Sequence, residues 1–287
     1  MRIVCAFATV FFLAPRVGCG TRPAPPPAGT DERPIAPSGT APATPPAAPD
    51  ESLTPDEYIR LGLPAHDRVW LGHDMAQAAK VLSAVAKAGG RRLPRYESER
   101  SGAVFSRLTS PHNLDGLRNR SLAVDARLPL ATNYIQASNQ VLKLYLAAFL
   151  KNEVRDSELV ELMGAQLRAT VVVLDLVDEF LPTLNKEDAT YPVRMRGLEG
   201  MKMGLGSVVA GCLQTLTERD SYRAGELVRL VGYMEETFPH LATRLPPGSR
   251  TELVTRLRSL QDDPAMRDLR PGLERIRSGV TAAREGK

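Results

Sequence analysis

The stretch Ser157–Leu184, SELVELMGAQLRATVVVLDLVDEFLPTL, decides the fold class. Val160, Met163, Leu167, Thr170, Leu174, Val177, Leu181 and Leu184 recur at intervals of three and four. That spacing sets them on one continuous stripe of an α-helix, a seam made for packing against other helices. No strand-like alternation of apolar and polar residues persists anywhere after residue 50.

Helix signals recur on both sides of this seam. Upstream, Thr54-Pro55-Asp56-Glu57 offers an N-cap, proline at the first helical position and glutamate three residues after the cap. The spacing predicts further helices over Gly72–Ala88 and Ser98–Leu108. Leu114–Lys151 reads as one or two helices, bent or split near Pro129. Downstream, helices are predicted from Tyr191-Pro192 to about Thr217, over Ser221–Arg244 with Pro239 as a kink or end, and over Ser249–Gln261 and Pro271–Arg284. Links such as Asn185–Thr190 are short, so neighbours should run antiparallel. The expected fold is all-α: a multi-helix antiparallel bundle over residues 51–287. Aromatics make up only 5% of the chain, so Leu, Val, Met and Ala must fill its core, and Trp70, the lone tryptophan, should plug one end.

Before the bundle comes a different kind of chain. Thr21–Asp50 contains Pro-Ala-Pro-Pro-Pro and Ala-Thr-Pro-Pro-Ala-Ala-Pro. Proline lacks an amide donor and fixes φ, so this segment favours extended chain and cannot build a core. It reads as a disordered tether of about 30 residues, able to reach roughly 90 Å at ~3.1 Å per residue. Ahead of it, Arg2 precedes the apolar run Ile3–Ala14. A dozen apolar residues fall short of the ~20 that span a bilayer as a helix, so the run reads as a signal peptide over residues 1–18.

The segment Val17-Gly18-Cys19-Gly20 resembles the cleavage site of bacterial lipoproteins. Gly18 and Cys19 match that family's pattern; Arg16 stands where it prefers an aliphatic residue, and Pro15 is a second departure. The resemblance covers only the first 20 residues. It implies that Cys19 is the lipid-attachment residue, that the mature chain begins there, and that the membrane is a partner through the acylated cysteine. Gly20 after the cysteine implies no inner-membrane retention, hence an outer-membrane lipoprotein in the cell envelope. Ordinary cleavage near Gly20, giving a soluble periplasmic or secreted protein, is the alternative.

Charge excludes little by itself. The net charge is +4, and arginine outnumbers lysine 30 to 7, which we read as base composition of the gene. Lys87–Arg120 carries eight basic residues against Glu97, Glu99 and Asp115. Only Tyr96 and Phe105 interleave there, so the stretch does not point to nucleic acid. A solvated face is its plainest reading, and anionic headgroups or an acidic partner the sharper ones.

Candidate sites are sparse. Gly197, Gly200, Gly204 and Gly211, with Ser207, share one stripe at ~100° per residue. Glycine costs about 1 kcal/mol in a helix interior, so the stripe suggests close approach of a neighbouring helix, or a groove for a ligand or partner helix. Asp178 lies toward the apolar side of its helix and should form a buried ion pair with Lys143, Arg194 or Arg196. His66-Asp67 and His73-Asp74 repeat seven residues apart, which makes His66 and His73 weak metal candidates lacking a well-spaced third ligand. Cys212 sits among Val208, Val209 and Leu216 and reads as core. No Gly-x-Ser-x-Gly, Walker loop or His-Glu-x-x-His occurs. No catalytic residue and no cofactor are expected. The functional expectation is an envelope lipoprotein whose helical domain is a non-enzymatic interaction or scaffolding module, with an envelope protein as partner. A periplasmic small-molecule or metal-binding protein is the alternative.

Overall fold

The computed structural model describes residues 50–149 and 156–285. The leader, Cys19 and the proline-rich segment lie outside the described residues, as does Lys151. Among the described residues there are ten α-helices and no strand. They are α1 (Pro55–Arg60), α2 (Gly72–Ala88), α3 (Gly102–Thr109), α4 (Asp115–Arg118), α5 (Val124–Phe149), α6 (Asp156–Phe180), α7 (Tyr191–Thr217), α8 (Ala224–Ala242), α9 (Pro247–Asp262) and α10 (Arg270–Glu285).

Local chemistry sets the boundaries. At α1 the capping box is complete: the Glu57 amide donates to Thr54 Oγ1 at 3.3 Å, and the Thr54 amide donates to Glu57 Oε2 at 2.7 Å. Those bonds from Thr54, backbone first, hold the Glu57 carboxyl below its ordinary range. Helix α2 starts where Asp74 turns back to accept from the Leu71 amide, with Arg68 gripping the same carboxylate at 2.7 and 3.2 Å. Trp70 is fully buried, its ring N–H donating to Ala65 O and its amide to Asn113 Oδ1.

Two boundaries differ from expectation. Neither Pro129 nor Pro239 ends its helix; α5 and α8 continue past them. Pro129 sits in the second turn of α5, so the amide bond it forfeits falls near the frayed start. The actual break before α5 is 119–123, pinned by Arg127, whose guanidinium donates to the carbonyls of Leu117 and Leu122. The third helix also starts late, at Gly102, because Ser98 and Ser101 are engaged elsewhere.

Packing follows a simple plan. Helices α2, α5, α6, α8 and α10 form a row, each lying chiefly against the next. Helices α5 and α6 run antiparallel, Arg127 at the start of one meeting Glu179 at the end of the other, but the broad contacts α2–α5, α6–α8 and α8–α10 are between parallel helices. Asp156, Glu161, Arg168 and Asp178 of α6 meet Arg223, Arg229, Glu236 and Arg244, in ascending order along both segments. Val231 and Pro239 of α8 likewise meet Gly272 and Gly279 of α10. Helices α7 and α9 carry the chain back between these layers.

The row is closed by single glycines. A Cβ on Gly164 would strike the ring of Tyr233, one on Gly272 would strike Val231, and one on Gly72 would come 2.6 Å from Leu130 O. These are the close approaches that the absence of a side chain permits.

Candidate functional site

A concavity lies where the described chain begins. A cleft of about 380 Å³ is lined by Asp50, Arg95, Glu97, Ser98, Glu99, Arg100, Ser157 and Glu158. Its floor is the first turn of α6, and its rim is the loop between α2 and α3.

A knot of serines builds the rim. Ser98 Oγ accepts from the amides of Arg100 and Ser101 and donates to Asp50. Ser101, wholly buried, donates to Ser52 Oγ at 2.8 Å and accepts from the Arg95 amide at 2.9 Å. Burial opposes the charge of Asp50, but hydrogen bonds from Ser52 and Ser98 outweigh it and hold the carboxyl below its ordinary range. The first described residues are thereby tied to a loop almost fifty positions downstream.

The floor is charged. Glu158 is buried, accepts from the Tyr96 amide at 3.0 Å and lies 3.6 Å from Arg95. Ser157 accepts from Arg223, which also holds buried Asp156 at 3.0 Å and Glu226 at 2.8 Å. Arg229 bridges Glu226 and Glu161 and stacks 4.7 Å over the ring of Tyr96. Tyr233 donates to Glu161, and burial, with that bond second, raises its phenol well above the ordinary value. Each buried carboxylate here thus has a guanidinium beside it, as buried charge requires. Arg95, Glu97, Glu99 and Arg100 all line the cleft, with Arg95 turned to Glu158 and Arg100 reaching Glu57 at 3.5 Å. Such a surface suits a ligand that offers both donors and acceptors, as a peptide backbone does.

The residues singled out from sequence are dispersed. Asp178 is a correction: its side chain is 52% exposed, and it pairs at 2.9 Å with Arg244, which also holds Asp175 at 2.6 Å. The arginine comes from the segment after α8, a neighbour in space that spacing along α6 could not reveal.

The glycine stripe is corrected at two positions: Gly200 and Gly211 have open space where a Cβ would stand, so no helix packs closely against them. Gly204 is buried and Gly197 half-buried. A groove of about 260 Å³ runs between α7 and α9, and Ser207 of the stripe lines its α7 wall with Gly206, Val209, Ala210 and Leu213.

His73 is 70% exposed beside Asp74, and His66 has a buried Nδ1 without a hydrogen-bond partner. Among the described residues no three His, Cys, Asp or Glu converge as metal ligands. Cys212 is buried, and burial pushes its thiol up to about 12. The basic stretch is largely answered: Arg91, Arg95, Arg100 and Arg118 each have a carboxylate within 4 Å, and Arg107 donates to His66 O. No described helix is long and apolar enough to cross a membrane.

Sequence reading missed the cleft altogether. Its parts come from three separated segments, and the only cue was the serine pair Ser98 and Ser101 preceding a helix.

Comparison with protein-family models, with curated proteins and with solved structures finds no match.

Proposed function

We propose that this chain is an envelope lipoprotein, anchored through an acylated Cys19, whose helical domain is a non-enzymatic interaction module. The anchor rests on the apolar leader that ends in Val17-Gly18-Cys19-Gly20 and on the proline-rich segment after it. The observation that carries the interaction role is a cleft that Arg95 and Arg100 line together with Glu97 and Glu99, over a floor of mutually neutralised charge. That mouth favours a polar peptide segment of an envelope protein over an apolar small molecule.

Two measurements test this. Intact mass of the protein from membranes reads acylation at Cys19 directly. A photo-crosslinker at Glu97 should capture one partner from gently solubilised envelope, and R100E should abolish that capture while the domain stays folded. Capture unaffected by R100E, or no capture at any site on the rim, overturns the cleft as the docking place.

The groove between α7 and α9 favours a second reading, a carrier of an amphipathic small molecule, because Val209, Leu213, Leu245 and Leu253 stand there beside Glu252 and Arg256. A co-purified ligand in native mass spectrometry, lost in Ala210→Trp, would support it over the first.

A further inference from the structure

We propose that the exposed face of α7 is a self-association surface, on which a second copy of this chain lays its own α7 antiparallel. The two helices cross at Ser207, with Arg196 of each copy against Glu218 of the other. This surface is separate from the cleft and from the lipid anchor.

Helix α7, at 27 residues, is the longest among the described residues, yet only one side of it is used. Leu198, Leu205, Val209, Cys212, Leu213 and Leu216 are buried. Opposite them Val193, Arg196, Ser207, Gly211, Gln214 and Glu218 are exposed, and Gly200 is half-buried. At ~100° per residue these seven positions fall within an arc of roughly 60°. Val193, Gly200, Ser207 and Gln214 stand seven residues apart, the recurrence that keeps two helices in contact along a seam. Ser207 doubles as a wall residue of the α7–α9 groove. Glycine weakens a helix interior, and nothing within this chain uses the open space before Gly200 and Gly211. A backbone approaching from outside is what the missing side chains admit.

Charge selects the occupant. Arg196 lies eleven residues before Ser207, and Glu218 eleven after it. Arg196 donates to Pro192 O, and Glu218 accepts from Gln214 Nε2 at 2.7 Å. Among the described residues neither has an ion partner, whereas their neighbours Arg194 and Arg219 have Asp188 and Asp220 within 4 Å. Along one helix the two charges are roughly 33 Å apart at ~1.5 Å per residue, too far to meet. Turned end for end about Ser207, a second α7 brings each arginine onto the other copy's glutamate, twice over. Gly200 then meets Gln214, and Ser207 meets its own counterpart, the isologous pairing that a two-fold axis demands. A parallel copy would set arginine against arginine and glutamate against glutamate. An unrelated helix would have to match this pattern from outside, whereas the chain carries its own complement.

Size sets the strength. A seam about 40 Å long and 10 Å wide covers roughly 400 Å² of each copy, half of the ~800 Å² per partner in a stable complex. The dimer is therefore weak and salt-sensitive, and it forms where the chain is concentrated.

The test uses the full mature chain at raised concentration under diamide, with Ser207→Cys or, as control, Val228→Cys. Val228 is 55% exposed and lies on α8. The unsubstituted chain is the blank for Cys19 and for buried Cys212. The expected result is a disulfide-linked dimer for S207C and none above the blank for V228C. R196E and E218R, each added to S207C, should lower the yield about tenfold. An equimolar mixture of the two should restore most of it, because each variant supplies the sign that the other lacks. Both altered residues are exposed, and circular dichroism checks that the variants stay folded. No S207C dimer above the blank, equal yield at 228, a yield unmoved by either reversal, or a mixture no better than its components overturns the proposal.

Discussion

At the scale of single residues, the helical glycines divide into two kinds with opposite consequences. Gly164 faces the ring of Tyr233, so G164A forces that ring or the α6–α8 spacing to give, at about 1–3 kcal/mol. Gly211 faces open space, so G211A removes only the flexibility of glycine and should stabilise by about 0.5–1 kcal/mol. Thermal melts of the two variants should move in opposite directions. Asp178, half-exposed and sharing Arg244 with Asp175, belongs with the weak surface pairs; Asp178→Leu should change stability by less than about 1 kcal/mol. Cys212 gives a pH signature. Its folded thiol holds its proton to about 12, whereas an unfolded thiol releases it near ~8.5. Between those values the unfolded chain binds fewer protons than the native one. Stability from this group is therefore complete below the lower value and falls as pH rises toward the higher. Tyr134, which burial raises to about 12, adds to the fall above the ordinary phenol range. Urea midpoints measured against pH should drop from about 9 upward, and Cys212→Ala should delay the onset.

At the scale of elements, the parallel pair α6–α8 is held in register by its rungs of charge. The sign reverses once and back: α6 supplies Asp156 and Glu161, then Arg168, then Asp175 and Asp178, and α8 with its flanks supplies the complements. A slide of two turns would set Arg168 toward Arg229 or Arg244 and strand the buried carboxylates. Removing one partner of a buried pair is expensive, so Arg229→Met should cost about 2 kcal/mol, with Arg223 still shielding Glu226. R229M/E226Q should recover part of that loss in a double-mutant cycle. These elements were legible in outline before any coordinates. The capping box at Thr54, the 3–4 stripe of α6 and the extent of α2 are local patterns, and local patterns persist in the fold. Pro129 and Pro239 misled because proline's effect depends on its distance from the helix start and on what its ring packs against. For Pro239 that is Gly279. The cleft was illegible because Asp50, Ser98 and Glu158 are meaningless until tertiary packing joins them.

At the scale of the molecule, a row in which each helix leans on the next has two ends, α2 and α10, with no broad contact between them among the described residues. Helix α10 forms one end, and Leu273, Ile276 and Val280 are wholly buried. Truncation after Leu269 should therefore uncover the Val231 side of α8 and abolish a cooperative melt. Deletion of residues 1–49 should leave the melt unchanged, because the packed structure closes on itself from Asp50 onward. Circular dichroism melts of the two truncations check both statements. The serine knot has a further, mechanical meaning. A load drawn along the chain ahead of Asp50 meets Ser98 and Ser101 before it meets α1. A pull from outside would thus be felt first as tension on the loop at the head of α6, and the mouth of the cleft would yield before any helix lost a turn.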